Sequence, residues 1–359
     1  MDRHSLSPHI CNDFGRMAEV FEKEGITGGR VMIAADSNTA PLYAEQVKME
    51  LSRVFREVHL FVFRAGEEYK TLESAASLLH ELLKLQFDRK DCIAALGGGV
   101  TGDMAGFAAA VYRRGIRVIQ IPTTLLAQID SSIGGKTGVD FEGYKNMIGA
   151  FHMPSLIYTN TDTLLTLPAE QFTAGMGEVI KSALLADSDF FAFLEENREK
   201  IAASDRECIL EMIRRCAAIK VKIVLEDPTE QGVRALLNLG HTIGHAVEKA
   251  TNFTLLHGEA VGAGLKSAAA MSLKRGLISK TDYDRICSLL AYFGLPLYVE
   301  GIDPEEIVHF TKSDKKMADG QIRFILLKGI GEAFYADDVS DEELMTGINV
   351  LLPDKDKDR

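Results

Sequence analysis

A chain of 359 residues is long enough to bury a sizeable core and, at roughly 100–200 residues per domain, is expected to fold as two domains. With 46% hydrophobic and 26% charged residues, and no apolar run near the roughly 18 residues of a membrane span, it reads as an ordinary soluble globular protein. The net charge of −12 opposes binding to polyanionic nucleic acid, since no Arg/Lys stripe is set apart from the acidic remainder.

The first residues, MDRHSLSPHICNDF, have neither the basic start nor the apolar stretch of a secretory signal, so a cytoplasmic location is expected. Cys11, Cys92, Cys208, Cys216 and Cys287 are odd in number and scattered, with no Cys-x-x-Cys pair. That argues against a disulfide framework and against a thiolate zinc site. Any metal must then be held by histidine and carboxylate.

Along the chain, short apolar runs alternate with helical stretches up to about residue 161. The runs are residues 30–35 (RVMIAA), 58–63 (VHLFVF), 91–96 (DCIAAL), 117–121 (RVIQI) and 156–159 (LIYT), with helix-like segments at 41–55 and 71–85. Repeated strand, helix, strand predicts a parallel sheet covered by helices on both faces. From Pro168 the periodicity is helical, clearest at 189–203, 206–226, 242–250, 259–275 and 281–293. One late strand is expected at 323–327 (RFILL), and the tail DKDKDR reads as a solvated end. There is no internal repeat or Pro/Gly/Ser-rich linker, so the halves should meet at a tight junction near 165–168, with a cleft between them as the expected ligand site.

Directly after the run at 91–96 comes GGGVTGDMAGFAAAVY, in which Gly97, Gly99 and Gly102 satisfy G-x-G-x-x-G ahead of an Ala-rich helix. Glycines admit a pyrophosphate close to the backbone, and the free N–H groups and dipole of a helix start favour its charge. Glycine triplets also serve as plain turns, so the motif alone leaves both readings open. Asp36, closing the first run in ADSN, suits ribose hydroxyls or, equally, an Asx turn.

In LNLGHTIGHAVE, His241 and His245 are spaced i, i+4 and project from one helix face. His257 follows in LLHGEAVGAG, and Glu178 in GMGEVIK opens another apparent helix. A lone helical histidine is more often packed than ligating, but here three of nine histidines fall within seventeen residues, each beside a glycine. Imidazoles with a carboxylate suit zinc, cobalt or iron, with a position open to substrate oxygens. Spacing does not decide which of the four candidates bind. Arg114, Lys136, Lys145, Asn146, Lys181, Lys220, Arg234 and Asn238 lie near these motifs. Any one of them alone is a solvated charge, but together they suggest a small substrate with phosphate and carboxylate groups.

The run GGGVTGDMAGFAAAVYRRGIRVIQIPTTLLAQIDSSIGGKTGVDFEGYKNMIGAFHMP, followed by GMGEVIKSALL, EDPTEQGVRALLNLGHTIGHAVE, LLHGEAV and SDKKMADGQIRFILLKGIGEA, resembles the 3-dehydroquinate synthase family within the sugar phosphate cyclases. The resemblance runs from about Asp36 to Ala333. It implies an α/β fold: a Rossmann-like amino-terminal domain with a parallel sheet (1–166, binding NAD) and a mainly α-helical carboxyl-terminal domain (167–359, binding metal and substrate), with the active site in the interdomain cleft. The implied reaction converts 3-deoxy-D-arabino-heptulosonate 7-phosphate to 3-dehydroquinate and phosphate by transient oxidation, elimination, re-reduction and aldol closure. NAD and a divalent metal, zinc or cobalt, are the implied cofactors, and a homodimer the implied assembly.

Carried over residue by residue, the resemblance makes Glu178, His241 and His257 the metal ligands. NAD falls to Asp36, Asn38, Glu67, Lys70, Gly98, Gly99, Val100, Thr101, Gly102, Asp103, Thr123, Thr124, Lys136, Lys145, Thr163 and Thr166. Substrate falls to Arg114, Asp130, Lys136, Lys145, Asn146, Lys181, Lys220, Arg234, Asn238 and one of Lys315 or Lys316. Glu230 and His245 become a proton-transfer pair. Another cyclase acting on a heptulose phosphate without the carboxylate, or a metal-dependent polyol dehydrogenase, are the alternatives.

Overall fold

The computed structural model describes residues 6–230, 232–313 and 324–353. It divides into two compact units, Met1–Leu167 with Ile209–Thr229, and Pro168–Cys208 with Glu230–Arg359. The sequence reading set residues 209–229 with the later half; they group instead with the first unit. No helix among the described residues is long and apolar enough to cross a membrane.

The first unit carries strands β1 (His9–Cys11), β2 (Arg30–Asp36), β3 (Glu57–Phe63), β4 (Cys92–Gly97), β5 (Arg117–Pro122), β6 (Lys136–Phe141), β7 (Tyr144–Phe151) and β8 (Leu156–Asn160). Six of these form one sheet in the order β1-β8-β5-β4-β2-β3, with every pairing parallel. Helices α1 (Met17–Lys23) and α2 (Ala40–Leu51) cover one face and α3 (Leu72–Lys84) and α4 (Gly99–Val111) the other. Alternation explains the unbroken apolar runs. Val31, Ile33 and Ala35 enter the first layer while Met32 and Ala34 enter the second, so both faces of β2 are buried. In a parallel sheet all carboxyl ends lie along one edge, here the ends of β2, β4 and β5 at Asp36, Gly97 and Pro122.

The sequence reading did not anticipate the antiparallel ribbon β6–β7. Its turn is Glu142-Gly143, both at positive φ (51° and 79°), the mirror-image turn whose twist suits a two-residue hairpin.

Helix α8 (Arg206–Glu226) falls to the first unit from Ile209 onward. The second unit holds α5 (Ala169–Ala186), α6 (Ser188–Glu196), α7 (Arg198–Ala202), α9 (His241–Ala250), α10 (His257–Lys274), α11 (Lys280–Tyr292), α12 (Pro304–Ser313), α13 (Asp341–Asn349) and an antiparallel pair, β9 (Phe324–Gly329) with β10 (Glu332–Ala336). The single helix expected at 189–203 is two. The chain leaves helical geometry at Asn197, whose Nδ2 donates to the Phe193 carbonyl at 3.0 Å and ends the first.

Helix α10 is the core of this unit. Its sequence HGEAVGAGLKSAAAMSLK is rich in small residues, and Gly258 and Ala260 through Ser272 are buried. Small residues let neighbouring backbones come close. A Cβ on Gly258 would sit 1.7 Å from the Ala174 carbonyl oxygen of α5, and one on Gly264 1.9 Å from that of Gly240, just before α9. At the far end, the Arg275 guanidinium grips Glu343 in two hydrogen bonds of 2.6 and 3.1 Å, while Glu343 also closes the capping box of α13 through the Ser340 N–H at 2.9 Å.

Two outcomes follow from this packing. Gly258→Ala should lower stability by about 1–3 kcal/mol, because the new Cβ is fixed rigidly to one helix and the oxygen it meets belongs to the backbone of another, whereas Gly329→Ala, with nothing within 4 Å, should be near neutral. Equal urea midpoints for the two variants would refute the close-approach argument. The Arg275 hydrogen bonds lead burial and the Ser340 bonds in setting the Glu343 carboxyl, which falls from 4.5 to about 2. Its contribution is therefore complete above pH 4.5 and lost as pH falls toward 2, so the stability gap between parent and Glu343→Gln should narrow across that window. A gap independent of pH would exclude this linkage.

Candidate metal and cofactor site

In the second unit, the close contacts of α10 determine where three side chains meet. Glu178 lies in the middle of α5, not at its start, and follows Gly177, whose added Cβ would stand 2.2 Å from the Gly258 carbonyl. His257 is the first residue of α10, and His241 the first of α9, after Gly240 in the left-handed region (φ 79°). The helix expected at 259–275 thus begins two residues earlier, at His257. Because α5 and α10 touch at Gly177 and Gly258, the next residue of one and the preceding residue of the other face each other. His241 Nε2 and His257 Nε2 both stand 3.5 Å from the same oxygen, Glu178 Oε1.

These three groups offer ligand atoms within 4.8 Å of one another, and so do His245, Glu248 and His257. The ring centroids of His241, His245 and His257 are 5.2–5.8 Å apart. Burial pushes the Glu178 carboxyl up, but the Lys181 ammonium paired with its Oε2, together with His257 and His241, holds it well below the usual range. Burial and then the Lys181 charge push His241 down to about 3, leaving a neutral ring. Burial works against the charge on His257 too, but hydrogen bonds to Glu178 and Glu248 raise it to about 9, so a cation binding there must expel a proton. A buried carboxylate facing two imidazole nitrogens fits a borderline divalent cation such as zinc or cobalt.

Each of the two rings facing Glu178 is backed from behind. His241 Nδ1 lies 3.2 Å from the Leu239 carbonyl and His257 Nδ1 lies 3.3 Å from Glu248 Oε1. Glu248 was not singled out in the sequence, although positions 241, 245 and 248 follow i, i+4, i+7 and so lie on one face of α9. Glu230, at φ 59°, accepts from Asn238 Nδ2 at 3.4 Å, and Arg234 is buried in the short helical turn Val233–Asn238. Lys315 and Lys316 lie outside the described residues.

In the first unit, α4 begins at Gly99 directly after β4, and its N-cap Gly98 offers no side-chain acceptor to the first turn. Gly97, Gly98, Gly99 and Gly102 all avoid positive φ, so they are not turn glycines. They are needed for space: added Cβ atoms would meet Thr101, Thr124, Ser131 and Gln120 at 2.4–3.1 Å. An uncapped helix start with bare backbone fits a pyrophosphate. Asp36 realises the Asx turn, accepting from the N–H groups of Asn38 (2.9 Å) and Thr39 (3.0 Å), and from the hydroxyls of Thr39 (3.0 Å) and Thr101 (2.9 Å).

Lys70 is buried and bridges Asp103 of α4 at 2.7 Å and Asn146 of β7 at 2.5 Å. Burial alone would lower its pKa, but the Asp103 and Glu67 charges raise it, so the ammonium persists. Lys220 Nζ meets Asp130 Oδ1 at 2.5 Å on a π-helical turn, Ala127–Ser131. Thr123 is buried just after β5. The Thr163 hydroxyl accepts from Gln128 Nε2 at 3.0 Å, and Thr166 meets the Tyr43 hydroxyl. Arg113 and Arg114 both hold left-handed φ (49° and 66°), a costly conformation for a residue that carries a Cβ. Asn38, Glu67, Arg114, Lys136, Lys145 and Asn146 are exposed, and Val100 is half-buried in the first turn of α4. All five cysteines are free thiols, as their scatter implied.

Comparison with known proteins identifies the family. Family models described as 3-dehydroquinate synthase N-terminal and C-terminal match residues 60–174 and 175–317. A 3-dehydroquinate synthase of Shewanella halifaxensis is 46% identical over 321 residues, 89% of each chain. Among solved structures, 2-epi-5-epi-valiolone synthase from Streptomyces hygroscopicus subsp. jinggangensis 5008, with NAD+ and Zn2+ bound, superposes with a TM-score of 0.88 at 29% identity, covering 96% of this chain and 97% of that one. A 2-deoxy-scyllo-inosose synthase complexed with carbaglucose-6-phosphate, NAD+ and Co2+ gives 0.80 at 27%, covering 96% and 95%. The chain belongs to the 3-dehydroquinate synthase family, whose members are phosphate-eliminating lyases.

Proposed function

We propose that the chain converts 3-deoxy-D-arabino-heptulosonate 7-phosphate to 3-dehydroquinate and inorganic phosphate, with NAD and one divalent cation as cofactors. The observation that carries this reading, beside family membership, is the meeting of Glu178, His241 and His257 around one carboxylate oxygen. These three residues hold the cation, zinc or cobalt. The α4 start with Asp36, Thr101, Asp103, Thr123 and Thr124 holds the dinucleotide. When bound, NAD supplies a reversible hydride acceptor, and the cation supplies Lewis-acid polarisation of the substrate hydroxyls.

The chain's own residues do the remainder. Lys181 balances the buried Glu178 charge through Oε2 and presents an ammonium beside the ligand group. Arg114, Lys136, Lys145, Asn146, Lys220, Arg234 and Asn238 bind phosphate and carboxylate, and their fixed positive charge stabilises the phosphate as it departs. The Lys70 bridge holds Asn146 to Asp103, which orients the β6–β7 ribbon for that task. Glu230 and His245 accept and return the hydroxyl proton at an imidazole nitrogen. The enzyme is read as a cytoplasmic homodimer, a state that sedimentation of the purified protein tests.

A second reading, action on a heptulose phosphate lacking the carboxylate, is supported by the high TM-score to the valiolone synthase. The 46% identity to a 3-dehydroquinate synthase, against 29% to that enzyme, favours the first.

Purified protein given NAD, zinc and the heptulosonate phosphate should release phosphate with no accumulation of NADH. Stoichiometric NADH without phosphate would identify a polyol dehydrogenase instead, and turnover only of the decarboxy sugar phosphate would establish the second reading. His257→Ala should reduce metal-dependent turnover by at least about 100-fold, the scale of charge stabilisation a bound cation provides. Undiminished turnover of that variant would remove His257 from the ligand set.

A further inference from the structure

The two histidines facing Glu178 are supported differently. His241 is backed by a neutral carbonyl, that of Leu239, whereas His257 is backed by a carboxylate, that of Glu248. Glu248 is only 3% exposed, and a buried carboxylate carries a desolvation cost that a hydrogen-bonded or cationic neighbour must offset. The His257 side chain, by contrast, is 35% exposed, so packing alone does not hold its ring. An imidazole that donates from Nδ1 leaves its lone pair on Nε2, and Nε2 is the nitrogen that faces Glu178 Oε1.

We propose that Glu248 is a positioning residue for the cation site. It accepts the Nδ1–H of His257, selects the tautomer whose Nε2 lone pair points at Glu178, and adds negative charge behind the ring that makes His257 a stronger donor. The inference rests on reading Glu178, His241 and His257 as the ligands. Helix α9 then supplies two things from one face: a ligand at its first residue, and seven residues later the carboxylate that orients a ligand of α10. The rival is that Glu248 is itself a ligand, in the group it forms with His245 and His257. The geometry opposes this, because His257 Nε2 and His241 Nε2 converge on the same buried oxygen of Glu178, while Glu248 meets His257 from the opposite, Nδ1, side of the ring.

The test is metal binding, independent of turnover. Zinc and cobalt affinity and stoichiometry would be measured on the metal-free full chain against a chromophoric chelator, for parent, Glu248→Gln, Glu248→Leu and His257→Ala. The cobalt absorption spectrum and the unfolding midpoint without metal accompany each. Glu248→Leu should bind about 10–100-fold more weakly at an unchanged one ion per chain. Glu248→Gln, whose amide oxygen still accepts from Nδ1–H, should recover part of that loss, with a shifted cobalt spectrum and an unfolding midpoint near the parent's. Parent-like affinity in both Glu248 variants overturns the proposal while leaving the ligand assignment intact. So does a parent that binds two ions and loses one with either Glu248 variant, which would make Glu248 a ligand. Parent-like affinity in His257→Ala overturns the ligand assignment, and this inference with it. Should the Leu variant fail to fold, the isosteric Gln variant decides through affinity and spectrum.

Discussion

Backbone contact between helices is the constraint on which the second unit depends. An added Cβ would lie 2.2 Å from the Gly258 carbonyl oxygen at Gly177, 1.7 Å from that of Ala174 at Gly258, and 1.9 Å from that of Gly240 at Gly264. Interiors pack like crystals, so such an approach cannot relax into a void when a side chain is introduced. The consequence is positional. Glu178 and His257 are the immediate chain neighbours of two touching glycines, and His241 follows a third, so the same contacts that fill the core also define the distances among the putting-together of carboxylate and imidazoles.

Charge at that point is organised to a degree that packing alone would not demand. Glu178 is 1% exposed and Lys181 2%, and the two pair one helical turn apart. Breaking one partner of such a pair strands a buried charge, whereas the pair itself contributes little net stability. An arrangement costly to keep and costly to break is more readily understood as a site than as scaffolding. The unlike backing of His241 and His257, carbonyl against carboxylate, belongs to the same organisation, since it sets the tautomer of each ring by the partner behind it.

The first unit shows the same economy in another form. The glycines after β4 are not there to bend the chain, for none has positive φ; they clear space around a helix start that no side chain caps. Asp36 spends its carboxylate on its own loop and on Thr101, binding the end of β2 to the first turn of α4. Lys70 ties α4 to the β6–β7 ribbon through Asp103 and Asn146, so residues distant in sequence are fixed about a single ammonium.

What the sequence by itself determined was whatever local pattern can carry. The parallel sheet was legible because strands buried on both faces must be apolar throughout, as in the run RVMIAA, and the family was legible because its motifs are long. Cysteine scatter was enough to predict free thiols, and the His241–His245 spacing was enough to define a helix face. The grouping of residues 209–229 was not legible, since it depends on partners remote in the chain, whereas the Asn197 break and the β6–β7 ribbon rest on local features, a bond to the Phe193 carbonyl and the Glu142-Gly143 turn, that apolar periodicity does not register. The same holds for the site. Periodicity puts His241 and His245 one turn apart on a single helix, but only the tertiary contact of α5, α9 and α10 brings Glu178 from far upstream to face His241 and His257, and sets Glu248 behind the latter. Spacing along a helix fixes which side chains share a face; which nitrogen of a ring meets which oxygen is decided only when backbones pack, because that is a matter of ångströms between segments that the sequence order leaves apart.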